Sequence, residues 1–156
     1  MTETITSRVP DNCHPKVRAI VDYWLSIHPK KGLPGRQHFD PRCVPKLLSN
    51  IWLIDVVRDP LRFRFRLFGS RIVDYAGEDN TGKWVDERWP DFDAEVLKDI
   101  IETKMPSWSR GPSVFRPEKD YYELERVRLP LAQDGETVDI ILVLTLFFDR
   151  DGKEII

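Results

Sequence analysis

The sequence predicts an α+β fold in which helices cover one face of an antiparallel sheet. Two hairpin-like groups of strands are separated by helical segments, and the second group contains the turn dipeptide Asp134-Gly135. Residues 62–67 alternate charged with apolar side chains, which is typical of a half-buried strand. The chain has 156 residues, 41% of them hydrophobic, which is the size and composition of one domain with its own core.

Composition and charge disfavour several functional classes. Lysine and arginine number 24 against 26 aspartate and glutamate, so the chain lacks the excess of base that drives nucleic-acid binding. Its longest apolar run, residues 140–148, is much shorter than the ~20 residues that span a bilayer. No apolar signal segment occupies the first ten residues, and two cysteines make no disulfide framework. We therefore expect a cytoplasmic protein that binds neither membrane nor nucleic acid.

The N-terminal part is predicted to contain a flexible lead and then an amphipathic helix. Residues 1–12 are polar and show no periodicity. The helix begins at Pro15, since proline is favoured in a first helical turn, and ends at His28-Pro29. Apolar residues recur along it at helical spacing, and these are Val17, Ile20, Val21 and Trp24.

A hairpin of two strands is predicted next, after a short helical piece at Asp40-Pro41. Residues 51–57 form an apolar run typical of a buried strand, and residues 58–60 have the composition of a turn. The alternating residues 62–67 then form the second strand of the hairpin.

Helices and three further strands complete the prediction. A short helix covers residues 71–75, and a longer one over residues 92–105 begins at Asp91 or Asp93 and ends at Pro106. The remaining strands are predicted over residues 113–116, 121–131 and 138–148.

The order of these elements and several motifs resemble PAS sensor domains, in particular a bacterial, stand-alone subfamily with an N-terminal helical extension. Residues 63–82 are similar to the second strand and following helices of that subfamily, and they end in its Asp-x-Thr-Gly motif. The segment that precedes the first strand and the final hairpin at residues 129–135 are also similar. The resemblance extends from residue 14 to residue 148.

The resemblance implies a five-stranded antiparallel sheet, helices over one face and an apolar cavity between them. It implies an extension over residues 1–44, a PAS-like domain over residues 45–150 and a tail over residues 151–156. Relatives bind haem, flavin or a small metabolite, but the cofactor here is unknown. Haem, covalent flavin and a cysteine-linked chromophore are disfavoured, because every histidine and cysteine precedes the first predicted strand.

Aromatic residues that would border this cavity are the candidates for a ligand site. Ligand pockets are apolar with a few polar groups, and Arg71 and Tyr122 are the polar candidates. A filled core without a cavity explains the same residues equally well, because aromatic side chains bury a large area anyway. The candidates are Phe63, Phe65, Arg71, Tyr75, Trp84, Trp89, Trp108 and Tyr122.

The apolar stripe of the first helix allows two arrangements. Its four residues either cover the chain's own sheet or pack against a second copy, as the N-terminal helices of PAS relatives commonly do. We favour a homodimer through Val17, Ile20, Val21 and Trp24, since two-fold dimers are the commonest oligomers.

Other charged and metal-ligating residues are assigned structural roles. The arginines within residues 62–66 are expected to pair with acidic residues on neighbouring strands rather than to bind an anion, and the expected partners are Glu123, Glu125 and Asp139. The turn over residues 79–82 is also expected to be structural. No zinc-type spacing and no metal site is predicted among Cys13, His14, His28, His38 and Cys43.

The sequence therefore predicts a non-catalytic sensory or signalling module that binds a small ligand, a protein partner, or both. Its length leaves no room for an output domain, so the signal is expected to pass through another protein. The alternative is a small enzyme in which Asp55, Asp79 or His38 acts as an acid or base. No convincing pairing of a nucleophile with a base supports that alternative.

Overall fold

A single antiparallel sheet organises the chain in a computed structural model that describes residues 5–112 and 121–156. The strands are β1 (Ile51–Val57), β2 (Arg62–Phe68), β3 (Ser107–Pro112), β4 (Glu123–Leu131) and β5 (Ile140–Phe148). The helices are α1 (Ile5–Arg8), α2 (Pro15–Ser26), α3 (Ser70–Ala76), α4 (Val85–Arg88) and α5 (Glu95–Thr103). The strands lie in the order β2-β1-β5-β4-β3, and each pairs antiparallel with its neighbours.

The central strands are covered on both faces. All nine residues of β5 are buried, which fits its continuous apolar sequence and its position in the middle of the sheet. Side chains alternate between the faces along a strand, so Glu125 and Arg126 of β4 point to opposite sides. We call the side that packs against α3 and α5 the cavity face and the side that packs against α2 the outer face.

Helix α2 covers the outer face of its own sheet. Its apolar stripe is buried within the single chain, with side-chain exposure of 0% for Val17, Ile20 and Val21 and 2% for Trp24. The Trp24 indole Nε1 also donates a hydrogen bond to the Pro130 carbonyl, 3.0 Å away, which ties the helix to β4. The prediction that these four residues face a second copy is therefore wrong, because they are already packed in the core.

The predicted hairpins and the helices around residues 71–75 and 92–105 are confirmed. The second helix is shorter than predicted, because its regular turns begin at Glu95, where the Asp93 carboxylate accepts the Glu95 backbone N–H at 3.0 Å. In the β4–β5 turn, Gly135 adopts a φ of +85°, the left-handed conformation that glycine tolerates.

The N-terminal lead, β3 and α4 differ from the prediction. The lead expected to be flexible contains α1, and there Val9 is fully buried and Arg8 pairs with Asp99 at 2.9 Å. Strand β3 and helix α4 were not predicted, because their sequences, SWSRGP and VDER, show no sustained periodicity. The strand predicted over residues 113–116 lies outside the described residues.

Candidate functional site

A small cavity lies between the cavity face of the sheet and the helices. Its volume is about 50 Å³, enough for a few water molecules and far below the roughly 300–1,000 Å³ of pockets that hold drug-sized ligands. Five strand residues at its floor come from β1, β4 and β5, and helix α3 and the segment after α4 supply the opposite wall. The lining residues are Trp52, Ile72, Tyr75, Trp89, Phe92, Leu124, Arg126, Thr145 and Phe147.

Aromatic rings form most of the cavity wall. Trp89 is the central ring, and its centroid lies 4.9 Å from that of Phe65 and 5.8 Å from that of Trp52, both in edge-on geometry. On the other side, the Tyr75 ring of α3 packs on Phe147 of β5 at 4.7 Å. Because Trp89 lies after a four-residue helix, α4, the wall it forms is held by ring packing rather than by a long element.

The polar groups of the floor come from two paired strand residues. Arg126 of β4 and Thr145 of β5 are direct partners in the sheet register and both line the cavity. The Thr145 hydroxyl accepts a hydrogen bond from the Trp52 indole Nε1 at 3.0 Å, so its oxygen is fixed while its own proton is directed elsewhere. An apolar cavity with a guanidinium and a hydroxyl is the arrangement that small-molecule sites typically use.

The two arginines on this face of β4 form no ion pair with any described residue. Arg126 makes no hydrogen bond or ion pair within those residues, and burial away from water lowers the pKa of its guanidinium. Arg128, two residues along the same face, is 7% exposed and donates only to the Ser107 hydroxyl, at 3.5 Å. Burial, and secondarily the like charge of Arg126, lowers the pKa of Arg128 to about 9, so Arg128 remains charged at neutral pH.

On the outer face, the adjacent residue of β4 is a buried acid, Glu125, of which one oxygen accepts two hydrogen bonds. Glu125 is completely buried, and its Oε2 accepts the His14 backbone N–H at 2.8 Å and the Trp108 indole N–H at 3.0 Å. Its other oxygen, Oε1, has no hydrogen bond and lies 3.8 Å from the Arg110 guanidinium. Since His14 caps the first turn of α2, this carboxylate connects β4 to the start of that helix.

The structure brings together only some of the predicted pocket residues. Tyr75 and Trp89 line the cavity, and Phe65 packs behind Trp89. Phe63 lines a separate surface depression that also includes Trp89 and Phe92.

The other four candidates lie elsewhere. Arg71 pairs with Asp74 of its own helix at 3.6 Å, and the Trp84 ring packs under the Arg62 guanidinium at 4.0 Å. The remaining two do not line the cavity either: Trp108 donates to Glu125 and Tyr122 is 53% exposed.

The arginines of β2 have partners other than the expected ones. Asp55 of the adjacent β1 accepts from Arg64 at 3.3 Å and from Arg66 at 3.2 Å, whereas Arg62 forms a two-point pair with Asp86 at 2.8 and 2.9 Å. The predicted pairing with Glu123 or Glu125 is wrong, because β4 is separated from β2 by two strands in the sheet. Asp139 lines the same surface groove as Arg64 and Arg66 but makes no ion pair with them.

The residues considered as acids or bases do not meet in the cavity. Asp55 is held by its two arginines, and the His38 imidazole accepts the Gly35 backbone N–H at 2.9 Å. The Asp79 carboxylate accepts from the Thr81 hydroxyl at 2.6 Å and from its N–H at 3.0 Å, and these bonds lower the pKa of Asp79. Gly82 completes this turn with a φ of +88°. Each of the three side chains thus stabilises a local structure.

Neither a metal-binding cluster nor a membrane-spanning helix occurs among the described residues. No cluster of three or more histidine, cysteine, aspartate or glutamate side chains is arranged to hold a metal ion in residues 5–112 and 121–156. In the same ranges, none of the helices combines the length and the apolar character that crossing a bilayer requires.

Comparison with known proteins identifies the family. The profile of the PAS domain matches residues 12–145, which is most of the chain, and the sheet and helices described above fit that fold. The chain therefore belongs to the PAS domain family, whose members are in general sensory and signalling modules that are typically non-catalytic. No curated protein and no solved structure gives a significant match.

Proposed function

We propose that the chain is a non-catalytic sensory module that binds a small ligand in the cavity and passes the resulting change to another protein. The observation that carries the proposal is the composition of the cavity wall. Sheet residues form one side, whereas Ile72, Tyr75, Trp89 and Phe92 come from α3 and from the segment after α4. A ligand that fits one arrangement of these helical segments better than another shifts the population toward that arrangement.

Strand β4 connects the cavity to helix α2 on the outer face, so it can transmit a change at the cavity to that helix. Arg126 on the cavity face and Glu125 on the outer face are adjacent in sequence, so a displacement of the strand reaches both. Glu125 holds the His14 N–H at the start of α2, and this helix packs on the outer face. We infer that α2 and its N-terminal turn respond to the cavity and present the change to the partner protein.

Mass spectrometry of the freshly purified chain tests ligand binding. We expect the native spectrum to show a mass that is absent under denaturing conditions. The control is the variant Ile72→Phe, which places a ring in the cavity and should lose the extra mass while remaining folded. A bare native chain, together with unchanged Trp52 and Trp89 indole resonances on addition of small acids, alcohols and amines, would contradict the proposal.

A further inference from the structure

We propose that the cavity ligand is a small carboxylic acid with a short apolar tail, bound as its carboxylate by Arg126. This rests on the proposed function and adds the chemical class of the ligand. The neighbouring Arg128 supplies a second positive charge on the same face of β4, and the Thr145 hydroxyl supplies a further donor.

Arg126 and Arg128 carry positive charge that no described residue pairs. An isolated ion in an apolar interior is strongly disfavoured, so buried charges in proteins are normally paired. Arg126 is half-buried and Arg128 is buried on a face whose other side chains are mostly aromatic and aliphatic, and no described carboxylate makes an ion pair with either. Asp93, the acidic residue that acts on Arg128, is itself exposed and beyond ion-pairing distance. A bound anion would supply the missing charge.

The hydrogen-bond donors at the cavity floor match the shape of a carboxylate. A guanidinium offers two parallel N–H groups that match the two oxygens of a carboxylate. The Thr145 oxygen already accepts from Trp52, so its proton is free to reach one carboxylate oxygen, and no described residue accepts it. A phosphate group has a third oxygen and a higher charge, and the remaining wall, which is aromatic, offers it few donors.

The rest of the cavity is small and mostly apolar. The volume of about 50 Å³ admits a ligand of few atoms. Trp52, Trp89 and Phe92 border the space beyond the arginine, so the part of the ligand that is not the carboxylate has to be apolar. A longer tail would have to displace the Trp89 ring.

A titration followed by NMR tests the inference. Butyrate, 1-butanol and butylammonium have the same apolar tail and differ in charge, and the indole N–H resonances of Trp52 and Trp89 report on the cavity wall. We expect butyrate to bind at least 10-fold more tightly than 1-butanol and butylammonium not to bind. Inorganic phosphate, added as a further probe, should leave both resonances unchanged.

Two variants of Arg126 and one control variant test whether Arg126 binds the carboxylate. Arg126→Met should reduce butyrate binding at least 10-fold without changing the binding of 1-butanol. Arg126→Lys, which keeps the charge but loses the two-point geometry, should retain part of the affinity. Arg66→Gln, on the outer face and paired with Asp55, should bind butyrate as the unaltered chain does.

Two results would overturn the inference, and they differ in what they mean for the proposed function. Equal binding of butyrate and 1-butanol, unaffected by Arg126→Met, would refute the carboxylate and leave the ligand-binding cavity intact. Failure of every probe to shift either indole resonance would refute the carboxylate and also count against the proposed function.

Discussion

Charged side chains form ion pairs on the outer face of the sheet, whereas the arginines of the cavity face form none with the described residues. On the outer face, Asp55 lies between Arg64 and Arg66, and the buried Glu125 accepts two hydrogen bonds. On the cavity face, Arg126 makes no ion pair with any described residue, and neither does its neighbour Arg128. The paired charges of the outer face stabilise the fold, whereas we expect the unpaired arginines of the cavity face to destabilise it.

This difference shows that the number of arginines on a strand says little about binding. The alternating stripe of β2 is the more conspicuous in the sequence, yet its charges are neutralised at 2.8–3.3 Å by acids of β1 and α4. The two arginines of β4 are less conspicuous, and they are the ones that form no ion pair within residues 5–112 and 121–156. Protein sites commonly retain such unfavourable groups because their removal abolishes function while it stabilises the fold.

The largest effect on the outer face is expected from Glu125→Ala. This change leaves the partly buried N–H groups of His14 and Trp108 without an acceptor, and each unsatisfied group costs about 1–3 kcal/mol when it is shielded from water. We expect a loss of roughly 3 kcal/mol in the free energy of unfolding, measured by urea denaturation. Glu125→Gln keeps an oxygen acceptor and should lose less, and equal losses in the two variants would show that the hydrogen bonds are unimportant.

A smaller effect is expected from Asp55→Asn on the same face. The change removes the charge that pairs with Arg64 and Arg66, but both guanidinium groups are more than 40% exposed and remain hydrated. Partly exposed pairs of this kind contribute about 1 kcal/mol or less. The loss in urea denaturation should shrink as salt is added, because ions screen the pair. A loss comparable to that of Glu125→Ala would contradict the account of this face.

The smallest effect is expected from Arg62→Gln at the end of the β2 stripe. Arg62 pairs with Asp86 and lies over the Trp84 ring at 4.0 Å, all at the surface. We expect a smaller change in the free energy of unfolding than that of Asp55→Asn, and no change in butyrate binding. If butyrate binding fell instead, the anion site would belong to β2 and not to β4.

Much of the fold could be predicted from the sequence, because periodicity and turn chemistry act locally. Residues 51–57 and 62–67 form the expected hairpin, and Asp134-Gly135 lies in the turn of the last one. Strand β3 was missed because it has polar, glycine and proline residues and owes its structure to pairing with β4.

The cavity was harder to predict, since it depends on which face of each strand is covered. Aromatic residues near the helices identified Tyr75 and Trp89, whereas Trp52, Arg126 and Thr145 were missed. In β4 the alternation places the arginines on one side and Val127 and Leu129 on the other, which predicts an exposed arginine face. Only the tertiary fold, with helices over that face, reveals that Arg128 is buried and Arg126 half-buried.

We propose above that Arg126, which forms no ion pair with any described residue, serves to bind an anion. The most direct test is the free energy of unfolding of Arg126→Met beside that of Arg66→Met, each measured by urea denaturation with and without butyrate. We predict that without butyrate Arg126→Met is about 1 kcal/mol more stable than the unaltered chain and Arg66→Met is slightly less stable. Butyrate should stabilise the unaltered chain and Arg66→Met, but not Arg126→Met. A loss of stability in Arg126→Met, with butyrate acting equally on all three proteins, would contradict the claim.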